Sequence, residues 1–230
     1  GGMLVASVLG LDSRATMDID TSVFSIPLTV ESTKNIIEEI ASINIDDNVN
    51  FEITNAEEMM EEHNYHGVRI KLVSNFGTFK QPIKIDISTG DVITPSAVEY
   101  NYKLMFEDRS IPMLSYNLET LLAEKLETVI ARSTTNTRMR DFYDVYLLAK
   151  TQAVDMQNLK SALRRTARSR NTDLSKENVE LVLNEISKSE AMFSSWKKYK
   201  ADNYYVENFK WPDLVQESRN LIEAALGIEH

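Results

Sequence analysis

Apolar and polar side chains alternate without a break along residues 82–88. Ile83, Ile85 and Ile87 fall on one side, and Lys84, Asp86 and Ser88 on the other. A period of two marks a half-buried strand, and Thr89-Gly90-Asp91 supplies the turn that closes it. Val23–Leu28 (ending near Pro27), Phe51–Thr54 and Gly67–Val73 read as further strands, with Phe76–Phe79 turning the chain into the 82–88 strand. The acidic run Asn55–Asn64 reads as a solvated loop or short helix, and Val92-Ile93 and Tyr100–Phe106 are additional strand candidates. Between these lie two helical patterns. Met3–Leu11 is a short apolar helix, and Glu31–Ile43 carries Ile36, Ile37 and Ile40 at helical spacing behind Ser32 or Thr33 as cap. Mixed strands with interleaved helices predict an α/β or α+β sheet domain over residues 1–110.

From Ser115 the period changes to 3.6, which predicts an all-α domain over residues 111–230. Leu118, Leu121, Leu122, Leu126, Val129 and Ile130 form an apolar stripe, and Lys125 falls inside it. A lysine on a packed face is costly unless it snorkels or meets an anion. In the next helix, Arg138–Leu148 capped by Asn136 or Thr137, Phe142, Val145, Tyr146 and Ala149 face inward and Asp141 borders them. The spacing therefore allows a Lys125–Asp141 bridge between helices, while Arg140 and Asp144, four apart, form a surface pair. Leu159–Arg170 presents Lys160, Arg164, Arg165, Arg168 and Arg170, a cationic face that is either solvated or a phosphate-backbone contact. Val179–Ile186, Ala191–Tyr199 and Leu214–Leu226 complete the helices. The aromatics Trp196, Tyr199, Tyr204, Tyr205, Phe209 and Trp211 read as bundle core rather than a base-stacking platform.

Charge sharpens this division. The formal net charge is −10, which argues against nonspecific coating of nucleic acid. Residues 1–150 hold 13 basic against 23 acidic side chains, residues 151–200 hold 10 against 6, and residues 201–230 hold 2 against 6. An acidic front half with a basic patch behind it suits metal binding followed by polyanion contact. The absence of cysteine removes disulfides, thiolate metal sites and cysteine nucleophiles. His63, His66 and His230 are too few for a histidine-rich metal cluster, and the first two sit in a polar, surface-like stretch. No run approaches a membrane span, and the apolar opening lacks a cationic leader, so cytoplasmic residence and no membrane partner are expected.

The candidate chemistry lies in Arg14-Ala-Thr-Met-Asp-Ile-Asp20. On an extended backbone Asp18 and Asp20 share a face while Ile19 points to a core. Two carboxylates so close favour a cation between them, and an oxygen-only donor set suits Mg2+ or Mn2+. The alternative is a solvated turn with two acids. If the 82–88 strand pairs alongside, Asp86 becomes a third carboxylate, the composition of a two-metal phosphoryl-transfer site. Gly1-Gly2 before the first helix would let its N–H groups approach a phosphate, unless the doublet is a tag remnant. Such a doublet normally follows a strand, which predicts natural sequence upstream of Gly1.

Gly-Gly, Asp-x-Asp at 18–20, Leu122-Ala-Glu-Lys-Leu126, Arg132 and Arg140-Asp-Phe-Tyr-Asp144 occur in an order and spacing that resemble the AbiEii/AbiGii toxin family. This is a branch of the DNA polymerase β-like nucleotidyltransferase superfamily, and the resemblance spans nearly the whole chain. It implies a small mixed-sheet nucleotidyltransferase domain followed by a helical bundle. Gly1, Gly2, Lys125 and Arg132 would then bind nucleotide, and Asp18, Asp20 and Asp86 would hold Mg2+ or Mn2+. Lys125 would contact the phosphates, and Asp141 would be the last active-site acid contributed by the helical domain. The usual Gly-Ser doublet is Gly-Gly here, so one hydroxyl contact to phosphate is missing.

The resemblance implies transfer of a nucleoside monophosphate from an NTP to an acceptor. The tRNA 3′ end is one such acceptor, with Lys160, Arg164, Arg165, Arg168 and Arg170 as the RNA contact. The expected setting is a toxin–antitoxin or phage-defence system with a cognate antitoxin. The competing expectations are nucleotidylation of a protein or small molecule, and a degenerate fold that only binds a partner. Asp18→Ala or Lys125→Ala is expected to abolish transfer without disturbing the fold.

Overall fold

The computed structural model describes residues 1–10, 16, 18–24, 27–60, 66–104 and 107–228, the side chains of Met60 and His66 excepted. Arg14, Met17, His63, His230 and the ends of several expected elements (Leu11, residues 25 and 26, Asn64, Phe106) lie outside the described residues. The chain forms two compact units. One contains Gly1–Ala6 and Ala15–Asp91, the other Ser7–Arg14 and Val92–His230. After the opening segment the units part at Asp91/Val92.

The first unit is a four-stranded mixed sheet, ordered β1-β4-β3-β2. Its strands are β1 (Asp18–Ser22), β2 (Val49–Met60), β3 (His66–Phe76) and β4 (Phe79–Ser88). β1 runs parallel to β4, and β2–β3 and β3–β4 are antiparallel. Alternation decides what each face does. Val68, Ile70, Leu72 and Ile87 are buried, joined by Ile53, Ile83 and Ile85 and by Val30 and Ile37 of helix α2 (Val30–Ala41). The opposite face carries Asp18, Asp20, Lys84, Asp86, Ser88, Arg69 and Lys71, because residues paired across strands point the same way. Beyond α2 the apolar face continues to Phe51, Phe76 and Phe79, all exposed.

Three expectations for this unit change. The strand expected over Val23–Leu28 lies earlier, as Asp18–Ser22, where β4 pairs with it from Asp18 to Ser22, and Val23, Phe24, Pro27 and Leu28 are outside any strand. The acidic run is not all loop: β2 continues through Glu57 and Glu58, past a register shift at Ile53/Asn55. Cross-strand charge explains why, since Glu57 lies opposite Arg69 and pairs with Lys71 at 2.8 Å. Helix α2 is capped by Thr29, not Ser32 or Thr33. Its hydroxyl accepts from the Ser32 N–H, Ser32 returns the bond to the Thr29 N–H, and Thr33 is buried.

Helix α1 (Gly2–Leu9) begins in the first unit and ends in the second, where the Ser7 and Tyr100 hydroxyls lie 2.8 Å apart. The second unit opens with a hairpin of β5 (Val98–Lys103) and β6 (Ser110–Ser115). Val92-Ile93 is not a strand. Thr94, next in the chain, is buried, and its N–H donates to Thr120 Oγ1 at 2.9 Å.

Helices α3 (Leu118–Arg132), α4 (Met139–Thr151), α5 (Met156–Arg170), α6 (Lys176–Lys188), α7 (Glu190–Asp202) and α8 (Trp211–Leu226) follow. The predicted α3 stripe is the buried one, from Leu121 to Ile130. Phe142, Trp196 and Trp211 interlock, with edge contact between Phe142 and Trp211 at 4.8 Å. Tyr204 departs from the expected aromatic core, being 80% exposed. No helix among the described residues is long and apolar enough to cross a membrane.

Candidate functional site

The polar face of the sheet brings three predicted acids into neighbouring register. β1 sets Asp18 opposite Lys84 and Asp20 opposite Asp86, and β3 sets Arg69 opposite Asp86. The side chains form a ladder of alternating charge. Lys84 Nζ lies 3.1 Å from Asp18 Oδ1 and 3.5 Å from Asp86 Oδ2. Arg69 grips Asp86 bidentately, Nε to Oδ1 at 2.7 Å and Nη2 to Oδ2 at 2.8 Å. Burial alone would raise the Asp86 pKa, but Arg69 and Lys84 outweigh it and hold the carboxyl below its usual range. The same pair raises Arg69, chiefly through the hydrogen bond to Asp86.

The glycine doublet meets this row of acids at Asp20. Gly2 N–H donates to Asp20 Oδ2 at 3.3 Å. A Cβ on Gly1 would stand 2.6 Å from the Cβ of Asp20, closer than real side chains come. Position 1 is therefore glycine for want of space. Asp91, read in the sequence only as a turn residue, also belongs to this end of the sheet. It accepts from Ser88 Oγ at 2.6 Å and from the Ser22 hydroxyl. Lys84 and Arg69 were likewise not singled out, although Lys84 shares the polar row of Asp86 and Ser88 in the strand pattern.

Asp18 and Asp20 fit a divalent metal in donor chemistry. Mg2+ is commonly held by one or two carboxylates, with waters and substrate phosphates completing its shell. Among the described residues no group of three or more His, Cys, Asp or Glu is placed to hold a metal ion, Asp18, Asp20 and Asp86 included.

In the helical unit, Lys125 does bridge α3 to α4, but with two partners. Its Nζ donates to Asp141 Oδ1 at 2.6 Å and Asp144 Oδ2 at 2.8 Å, and the three side chains are 11%, 9% and 0% exposed. Asp144 is thus a buried partner of Lys125, not half of a surface pair with Arg140. Burial disfavours the Lys125 charge, yet the two aspartates overcome it and raise its pKa; Lys125 in turn lowers that of Asp141 against the effect of burial. With so little exposure, loss of the Lys125 ammonium is expected to cost stability as well as any phosphate contact.

Arg132 ends α3, half-buried. Lys160, Arg164, Arg165 and Arg168 are exposed on α5, opposite buried Leu159, Ala162, Leu163, Thr166 and Ala167. Arg170 differs. It donates to buried Glu127 at 2.8 Å and to Glu124 at 3.2 Å, tying the end of α5 to α3.

Residues 1–214 match the profile of the family described as "Nucleotidyl transferase AbiEii toxin, Type IV TA system". The chain belongs to that family. It is accordingly a nucleotidyltransferase of a toxin–antitoxin system, and membership implies an NTP substrate and an antitoxin partner. Two solved structures are similar. A proposed nucleotidyltransferase of H. pylori is 15% identical with a TM-score of 0.52, the match covering 99% of this chain and 87% of that one. JHP933 of Helicobacter pylori is 14% identical with a TM-score of 0.48, covering 97% and 81%. At these identities the first likeness speaks for the AbiEii chain's fold alone, and the second adds no argument. No curated protein matches the sequence.

Proposed function

We propose that the chain transfers a nucleoside monophosphate from an NTP to an acceptor hydroxyl, with Asp18, Asp20 and Asp86 holding Mg2+ or Mn2+. The register-aligned row of Asp18, Asp20 and Asp86 beside the glycine doublet carries this reading. When bound, the metal supplies Lewis acidity to the phosphoryl oxygens, activates the acceptor hydroxyl and stabilises the pyrophosphate leaving group. The protein's part is orientation. Arg69 fixes the plane of Asp86 and keeps it ionised as a third carboxylate, while the N–H groups after Gly1 offer donors to phosphate. Lys125 is assigned to the nucleotide phosphates, with Arg132 beside it in sequence and Asp141 as the last acid. A triphosphate that draws Lys125 away would take a cation from Asp141, so the exchange needs a positive charge in its place, because a buried acid left unpaired is costly.

The proposed acceptor is the 3′ end of tRNA, and the proposed outcome is growth arrest in a toxin–antitoxin or phage-defence setting. The exposed Lys160, Arg164 and Arg168, four apart and so aligned on one helix face with Arg165 beside them, support an RNA acceptor. Arg170 is the least suited of the five, given its pairing with Glu127.

The test is incubation of the protein with α-32P-labelled NTPs, Mg2+ and total RNA. Label in RNase-sensitive material at tRNA size is expected, together with its loss in Asp18→Ala. Undiminished transfer by that variant would defeat the site assignment. The net charge of −10 favours a second reading, nucleotidylation of a protein or small molecule. Label that survives RNase and yields to protease, or that runs at low mass, would decide for it.

A further inference from the structure

We propose that Lys84 is an exchangeable counter-cation, its ammonium holding the place between Asp18 and Asp86 that a divalent ion takes and yielding it when the ion binds. This rests on the metal reading above. The β1–β4 register puts Lys84 directly opposite Asp18 and two residues from Asp86, all on the polar face. Its Nζ reaches both carboxylates, at 3.1 and 3.5 Å. Acids crowded on adjacent strands repel unless a cation stands among them, so the metal-free face needs such a charge, and Lys84 is placed to supply it.

Two features make this contact exchangeable. Lysine is a compact point charge on a flexible stem, with no bidentate geometry to lose. The Lys84 side chain is also 32% exposed and that of Asp18 40%, so breaking the contact strands no charge in a dry interior. Arg69 contrasts on both counts. Its fork matches both oxygens of Asp86, whose side chain is 18% exposed. On exchange Arg69 stays and Lys84 leaves, which frees Asp18 Oδ1 and opens the side of Asp86 Oδ2 that Arg69 Nη2 does not occupy. Metal affinity is therefore set partly by competition from within the chain.

Mn2+ titration followed by loss of the free-ion electron paramagnetic resonance signal, on the full chain without nucleotide, tests this directly. Lys84→Gln should bind Mn2+ about three- to ten-fold more tightly than the wild type. Lys84→Arg, which keeps the charge, should bind within about two-fold of it. Thermal melting checks that each variant is folded. Equal or weaker binding by folded Lys84→Gln would overturn the exchange while leaving the metal reading intact. Wild-type affinity in Asp18→Asn would overturn the metal reading itself, and no saturable binding in any of these proteins would overturn both.

Discussion

Lys84 and Lys125 each bridge two aspartates, Asp18 and Asp86 on the sheet and Asp141 and Asp144 between helices. The parts are the same and the surroundings are not. On the sheet the lysine and Asp18 are 32% and 40% exposed, whereas in the helical unit Asp144 is wholly enclosed. In the enclosed case the Coulomb attraction is strong, but so is the cost of any partner left alone. In the open case water dilutes both. Identical chemistry thus yields a fastener in one place and an exchangeable contact in the other, and accessibility makes the difference.

Four experiments press on this contrast. The largest effect is expected at the proposed site: Asp18→Ala should lower nucleotidyl transfer by about a thousand-fold or more if, as proposed, its carboxylate holds the metal. Its thermal midpoint should barely move. Lys125→Met should do the reverse to the fold, costing about 3–5 kcal/mol in urea unfolding because it takes the shared ammonium away from two buried carboxylates. Arg69→Met, on the sheet, should cost only about 0.5 kcal/mol once solvent screening is allowed for. Lys71→Ala, which breaks an exposed pair with Glu57, should leave the urea midpoint where it was.

The pH dependence follows from the directions of the shifts. The pKa of Asp141 is depressed below 3.8 in the folded chain. Its contribution is present above that value and is lost as pH falls through the lower, folded one. The pKa of Lys125 is raised above 10.5, so its contribution is complete below 10.5 and disappears as pH climbs through the folded value. Wild-type unfolding should therefore show a flat neutral plateau with losses on both flanks. Lys125→Met should lack the alkaline loss that belongs to this trio. An unchanged alkaline flank in that variant would remove Lys125 from the account.

Where local periodicity governs, the sequence was informative. Ile83, Ile85 and Ile87 announced both the strand and the face of Asp86, and the leucine stripe of α3 announced the burial of Lys125. Structure set by pairing was harder to see. Glu57 and Glu58 look like loop residues until Arg69 and Val68 lie across from them and Lys71 pairs with Glu57, and Ser110–Ser115 has no alternation to betray β6. The same limit hid Lys84 and Arg69 as partners of the acids. A polar row tells which residues share a face, while register, a long-range property, tells which cation meets which carboxylate. Asp144 was misplaced for a similar reason. The four-residue spacing to Arg140 is a local cue, and the stronger partner came from another helix.

The tight approach of Gly1 to Asp20 bears on mutational tolerance. Even a methyl group at position 1 would have to push the acid aside, so a saturation library there should behave as a one-letter alphabet for metal binding while its members still fold. The backbone at that point works as a gauge block: its thickness, set by the one residue without a side chain, fixes how far Asp20 may lean.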